Sequence, residues 1–571
     1  MSFQAFGQSP VSRRAFVAGT LAAGSSIALA GCDQSSVAES IEDITTDEDD
    51  DSDTTPLLFA VFDLSAIDPY ACVDDASRQV VSQMFDPLTR YDYEEGVLEG
   101  LAAESWDVSD DATEFTFHLV EGATFHNGEA VDAASFKRAW ERIVDPESAA
   151  AELYGASGAA YHLSLVEGYE ALAAGEASSL SGLSCPDDET LVVKLTTSYA
   201  DFPYVVAEPA LSPVPYAATS DPEGFFAAPI GNGPFMMAED ATWEEGQSLD
   251  LVRFDGYHGE AATVEEVEFV PLKDADAGYR ELESGGVDVT EVPVDGLSSV
   301  RKDAGLSMDG CTMSEDERLI IGVEPVVNFL VCNTGRIPLN NLDVRRGISL
   351  SIDCESICDD VYDGVRIVAD GVVPPGVVGY REEAWEYADF DGELAAGLLE
   401  KAYPADDEGM RDLTLGLMYY GDGGHEELVA AIVEDLGKVG VTLEAEALGW
   451  NALVERYAAG EFDLGLMSWT VEYPTLDNVL YPLFHSDCLG GSNRSGYSSE
   501  EVDTAIDEAR AVVDDEERTA KLQEVDTLVG EALPVIPLMY YTHVLAGSDR
   551  IEYLYCDPEG TCDVATAVLA E

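Results

Sequence analysis

The chemistry this chain can offer is dominated by carboxylates, and one of them stands apart. In Ser468-Trp469-Thr470-Val471-Glu472-Tyr473-Pro474, Glu472 is a single acid among aromatic and apolar neighbours. Such a carboxylate is either a candidate binding-site residue or an ordinary solvated loop acid. Groups for bond-breaking chemistry are missing. The sequence has no G-x-S-x-G elbow, no G-x-x-x-x-G-K-[ST] phosphate loop and no H-E-x-x-H pair. His118 and His126, the closest pair among seven scattered histidines, share one expected hairpin but lack the third and fourth ligands of a metal site. Gly231-Asn232-Gly233 is followed by Pro234 and no helix, so it reads as a turn rather than a phosphate cradle. No enzymatic turnover, metal or cofactor is expected.

Size and charge narrow the partners. A chain of 571 residues exceeds one hydrophobic core and implies two or three domains, with 46% apolar residues to fill them. Its 113 acidic and 28 basic residues leave a formal charge of -85. That charge excludes sequence-independent binding to nucleic acid, which needs a basic footprint. It fits a solvated, self-repelling surface suited to an ion-rich exterior. A monomer is expected.

The elements that would position Glu472 are legible in the pattern. "LTLGLMYY" (413–420) reads as a strand, Gly421 to Gly424 as a turn, and Leu428, Ile432 and Leu436 as one helical stripe. "VTLEAEAL" (441–448) alternates again, a short helix surrounds Leu453 and Tyr457, and "FDLGLMSW" (462–469) is a further strand. In open α/β sheets ligands sit beyond the carboxyl ends of strands, and Glu472 lies three residues past the expected strand end at Trp469. Nearer the N-terminus, Phe115, Phe117 and Leu119 alternate, and Asn127-Gly128 marks a tight hairpin turn. Asp132 is placed to cap a helix carrying Phe136, Trp140, Ile143 and Val144 on one face, which Asp145-Pro146 ends. Helices with Val502 and Ile506, then Leu522, Val525 and Leu528, follow near the C-terminus. The whole predicts a mixed α/β protein in more than one lobe.

The N-terminus carries Ser12-Arg13-Arg14-Ala15-Phe16, an uncharged run to Ala30, and Leu29-Ala30-Gly31-Cys32. This order is that of a secretory leader. It resembles a twin-arginine export signal with a bacterial lipobox, which implies cleavage of residues 1–31 and a lipid anchor on Cys32, outside the cell membrane. The acidic segment 32–55 is expected to be a disordered tether. Nine further cysteines remain, and the locally feasible pairs are Cys556 with Cys562 or Cys354 with Cys358.

Larger blocks carry a second resemblance. "GLAAESWDVSDDATEFTFHLVEGATFHNGEAVDAASFKRAWERIVDP" (100–146), "IGNGPFMM" (230–237), "NTGRIPLNNLDVRRGISLSIDCESICDDVYDG" (333–364) and "SGYSSEEVDTAIDEAR" (495–510) follow in the order found in the extracytoplasmic oligopeptide- and dipeptide-binding proteins of ABC importers, solute-binding protein family 5. The resemblance implies a two-lobed periplasmic-binding-protein-like fold (type II, cluster C) with an extra subdomain in one lobe. Its divisions would be 56–89, 189–325 and 536–571 for the core of lobe I, 90–188 for the extra subdomain, and 326–535 for lobe II. It further implies that the lobes close on a hinge over a peptide, which a membrane permease then receives, and that the peptide is held like an added strand.

Carried over residue by residue, Trp469-Thr470-Val471-Glu472-Tyr473 matches a W-x-x-D-Y block whose acid pairs with the peptide's α-amino group. Met467-Ser468-Trp469 and Asp63-Leu64-Ser65 match the segments flanking the ligand, and Trp450 a pocket aromatic. Glu472 replaces the family Asp, Thr470 replaces a cysteine that some members bridge, and Leu466 replaces an arginine. A ligand carboxylate would then fall to Arg366 or Arg456. The same fold also takes oligosaccharides and nickel chelates, and a ligand-sensing surface receptor is the other alternative.

Overall fold

The structure, a computed structural model, describes residues 55–293 and 297–570; the leader, Cys32 and all of the expected tether but Thr55 lie outside the described residues. Strand β1 (Leu57–Phe62) leads to helix α1 (Asp75–Met84), which Asp74 starts by accepting a hydrogen bond from the Ser77 amide. An antiparallel sheet follows, its strands ordered Ala103–Val108, Glu114–Leu119, Thr190–Lys194, Leu183–Asp187. Helix α2 (Ala133–Val144) packs on it, capped by Asp132 as its sequence predicts, with Phe136 and Trp140 fully buried. At the neighbouring hairpin only Gly128 of Asn127-Gly128 takes a positive φ, 81°. One left-handed residue therefore makes this turn.

Asp68, fully buried, ties the segment after β1 to α2: its carboxylate accepts two hydrogen bonds from the Arg142 guanidinium, one of 2.9 Å, and a third from the Tyr70 amide at 3.0 Å. The Gly231-Asn232-Gly233 turn presses on the end of α1. A Cβ at Gly231 would lie 1.8 Å from the Met84 carbonyl oxygen, while Asn232 accepts from the Asp86 amide and donates to its carbonyl, both at 3.0 Å.

The larger, eleven-stranded sheet runs through the molecule. Its middle is formed by β2 (Leu319–Cys332), and the chain then builds β3 (Thr414–Tyr420), α3 (Glu426–Lys438), β4 (Thr442–Leu448), α4 (Trp450–Ala459) and β5 (Leu464–Thr470) before returning along β2 as β6 (Val535–Gly547). β3 pairs parallel with both β4 and β5, the arrangement that the alternating strand and helix patterns predict. Across the sheet the order is β4, β3, β5, β2, β6, Val289–Glu291, β1, Glu266–Leu272, Leu249–Arg253, Phe235–Met237, and the eleventh strand, Ile367–Val368, pairs with β6 off this path. The β2–β6 ladder breaks register between Val323 and Val327.

The hydrophobic residues divide with the sheet. One cluster gathers Leu57, Phe59, Phe115, Trp140 and Phe269. Alternate residues of β2 feed two others, Val327, Phe329 and Val331 on one face and Val326, Leu330 and Cys332 on the opposite one. Of the two cysteine pairings, Cys556–Cys562 is formed. Cys354 and Cys358 stay buried free thiols, because side chains one turn apart on the helix Cys354–Tyr362 sit about 5–6 Å apart at Cβ, too far for a disulfide.

Candidate functional site

β5 is a strand with one open side. It pairs with β2 from Leu464 to Thr470, but with β3 only at Leu464 and Gly465. Among the described residues no strand covers Leu466 to Trp469 on the side away from β2. The Val471 amide donates to the Pro325 carbonyl at 2.8 Å. Antiparallel alternation then turns Trp469 toward β2 and the Ser468 N–H and C=O toward the open side. Asn328, opposite Ser468 in the register, steadies this stretch by donating to Ser468 Oγ at 3.0 Å and to the Met467 carbonyl at 3.2 Å.

The strand ends at Thr470, one residue later than the sequence predicts, so Glu472 stands two residues beyond it. Asn478 fixes the turn, its Oδ1 accepting from the Glu472 amide and its carbonyl from Trp469 Nε1, both at 2.9 Å. The Glu472 carboxylate accepts a hydrogen bond from the Tyr161 hydroxyl, and His162 lies beside it. Burial pushes the Glu472 carboxyl above its ordinary range, opposed by His162 and Tyr161; burial likewise pushes His162 down, toward the neutral imidazole. No described basic side chain forms an ion pair with Glu472, since the nearby Arg78 is engaged by Glu208 at 2.9 Å and Glu559 at 3.1 Å. Tyr473 exchanges a 2.7 Å hydrogen bond with Tyr199.

Asp63-Leu64-Ser65 leave the carboxyl end of β1. Asp63 takes a left-handed φ of 54°, Leu64 is buried, and the Ser65 hydroxyl donates to Asp74 at 2.6 Å, the cap of the helix that carries Arg78. Trp450 begins α4 and meets Tyr420 edge-to-face at 5.8 Å. Together with Met467, Ser468 and Trp469 it lines a pocket of about 40 Å³ that also touches His425, Tyr457 and Arg494.

The two arginines suggested for a ligand carboxylate do not line that pocket. Arg366 stacks over Tyr541 at 4.0 Å and donates to the Thr542 carbonyl at 3.1 Å. Arg456 pairs with Glu446 and donates to the Glu461 carbonyl at 3.1 and 3.2 Å. Arg494 lines it instead, and its only mark in the sequence is an arginine inside the turn-like Asn493-Arg494-Ser495-Gly496. Tyr161 and His162 also escaped the sequence, because nothing local ties them to a residue 311 positions away.

The histidine pair is apart: His118 meets Asp107 at 3.1 Å, while His126 accepts from the Gly231 amide and donates to the Gly233 carbonyl, each at 3.1 Å. Among the described residues no group of three or more His, Cys, Asp or Glu is placed to hold a metal, and no helix is long and apolar enough to cross a membrane.

Comparison with known proteins assigns the family. Residues 97–491 match the model of the bacterial extracellular solute-binding proteins, family 5 middle region. The dipeptide-binding protein DppE of Bacillus subtilis (strain 168) is 25% identical over 517 residues, covering 88% of this chain and 90% of that protein. Heme-binding protein A of Haemophilus influenzae is 25% identical over 557 residues, covering 95% and 96%. Among solved structures, the unliganded open form of the periplasmic murein tripeptide-binding protein MppA superposes with a TM-score of 0.78 at 21% identity, covering 91% of this chain and 98% of that one. These relatives bind solutes and are not enzymes, and their two-lobed α/β fold is the fold found here. With a family match over well more than half of its length, this chain belongs to the bacterial extracellular solute-binding proteins of family 5.

Proposed function

We propose that this protein captures peptides between two lobes and delivers them to the permease of an ABC importer. The observation that carries this reading is the open side of β5 at Ser468, continued by Glu472, a carboxylate in no ion pair with a described basic side chain. An extended peptide laid along Ser468 gains main-chain hydrogen bonds whatever its sequence. Its α-ammonium then meets Glu472, while a side chain enters the pocket under Trp450 and Trp469. Relatives named for dipeptides and murein tripeptide support the same class of ligand.

In this proposal the core of lobe I is 56–89, 189–325 and 536–571, residues 90–188 are its extra subdomain, and 326–535 form lobe II. The register break at Val323–Val327 in β2 is the hinge on which they close. Asp63-Leu64-Ser65 bound the ligand from lobe I. Cys32 carries the lipid that holds a monomeric binding protein at the outer face of the membrane, beside its permease.

Calorimetry with Ala-Ala-Ala and its N-acetylated form tests the site. Glu472→Ala is expected to weaken binding of the free amine about 10- to 100-fold and to change the acetylated peptide little. Equal losses for both would remove Glu472 as the amine partner. Native mass spectrometry of the purified protein is expected to release peptides of mixed sequence; a single non-peptide solute, heme included, would replace the peptide reading.

A further inference from the structure

The pocket beneath Trp450 and Trp469 contains one full charge and no answer to it. Among the described residues Arg494 is its sole arginine or lysine, and no aspartate or glutamate lines it. That balance is the reverse of the whole chain's, where 113 acids face 28 bases. The Arg494 guanidinium lies over the Tyr457 ring at 5.4 Å, its buried Nε has no hydrogen-bond partner, and no ion pair or side-chain hydrogen bond joins it to any described residue. Burial lowers its pKa, as expected for a cation taken from water without a counter-charge. His425, which also lines the pocket, is buried and pushed toward the neutral imidazole, so it adds no second cation and can still donate one hydrogen bond.

A half-buried cation with no described counter-charge is costly, and a ligand anion reduces that cost by occupying the guanidinium's donors. The aromatic walls exclude water and strengthen the contact. We propose that Arg494 makes this pocket a carboxylate receptor, so that the protein prefers ligands presenting a carboxylate within a few residues' reach of the Glu472 amine site, either an acidic side chain or a peptide C-terminus. This rests on the reading of the crevice as a peptide site. The two sources differ in what chemical blocking abolishes binding, which makes them separable.

Calorimetry on the intact protein would use Ala-Glu-Ala, Ala-Gln-Ala and their C-terminal amides, with wild type, Arg494→Gln and Arg494→Lys. Wild type is expected to favour the partnered carboxylate about 10- to 100-fold. Preference for Glu over Gln identifies the side chain, and preference for free acid over amide identifies the C-terminus. In Arg494→Gln the preference ratio falls to about one, and Arg494→Lys restores part of it. Wild type that binds all four peptides equally, or an Arg494→Gln variant that keeps the ratio, overturns the proposal. Thermal melts with glutarate form a second arm that does not depend on peptides. If no peptide binds yet glutarate raises the melting temperature of wild type and not of Arg494→Gln, the peptide reading fails and the carboxylate receptor stands; if glutarate also has no effect on wild type, both fail.

Discussion

Glu472 is held in a state that ligand binding would change. Burial raises its carboxyl pKa in the empty site, whereas pairing with an ammonium requires the ionised form and draws the pKa down. The sign follows. Affinity for a free-amine peptide falls as pH drops from about 7.5 toward about 5, and binding at the acid end releases protons to the buffer. Glu472→Gln flattens both effects. Titration calorimetry in two buffers of different ionisation heat measures them, and a wild-type profile as flat as the variant's would contradict this role. The acid itself was legible because one carboxylate among aromatics is conspicuous. Its partner Tyr161 was not, because a contact across 311 positions leaves no local pattern.

Among the elements, α2 shows how much a short sequence can specify. Asp132, the apolar face with Phe136 and Trp140, and Asp145-Pro146 set its start, its packing and its end. What periodicity could not supply is the contact that anchors it: Arg142 points inward to the buried Asp68 rather than out to water. Asp68→Ala leaves that guanidinium buried and uncompensated, and is expected to cost about 3–5 kcal/mol of stability. Urea denaturation measures it. Replacing both residues with apolar ones of similar volume should recover most of the loss, since a buried pair often does little more than balance its own desolvation. A loss below about 1 kcal/mol for Asp68→Ala would mean that the pair is solvated. β5 teaches the same lesson at a strand: its alternation was readable, but its open side depends on β3 ceasing to pair after Gly465.

Charge shapes the behaviour of the molecule as a whole. A formal charge of -85 on 571 residues produces mutual repulsion that favours expansion. Salt screens it, with a Debye length of about 10 Å at 0.1 M and 3 Å at 1 M. The melting temperature is therefore expected to rise between about 0.02 M and 1 M sodium chloride, most steeply at the low end. Equal concentrations of a neutral osmolyte serve as the control, and a melting temperature independent of salt would show that the charges are already spaced or paired well enough. The sequence by itself determined the class of fold, the order of its main strands and helices, the exclusion of nucleic acid and the interest of Glu472, because periodicity, capping and net charge are local or additive properties. The tertiary structure alone decided which arginine lines the pocket beneath Trp450 and Trp469. Arg366 rests on Tyr541, Arg456 is taken by Glu446, and Arg494 forms no ion pair with any described acid. Whether a charge is paired depends on what folding brings within a few ångströms of it, and chain spacing does not encode that distance.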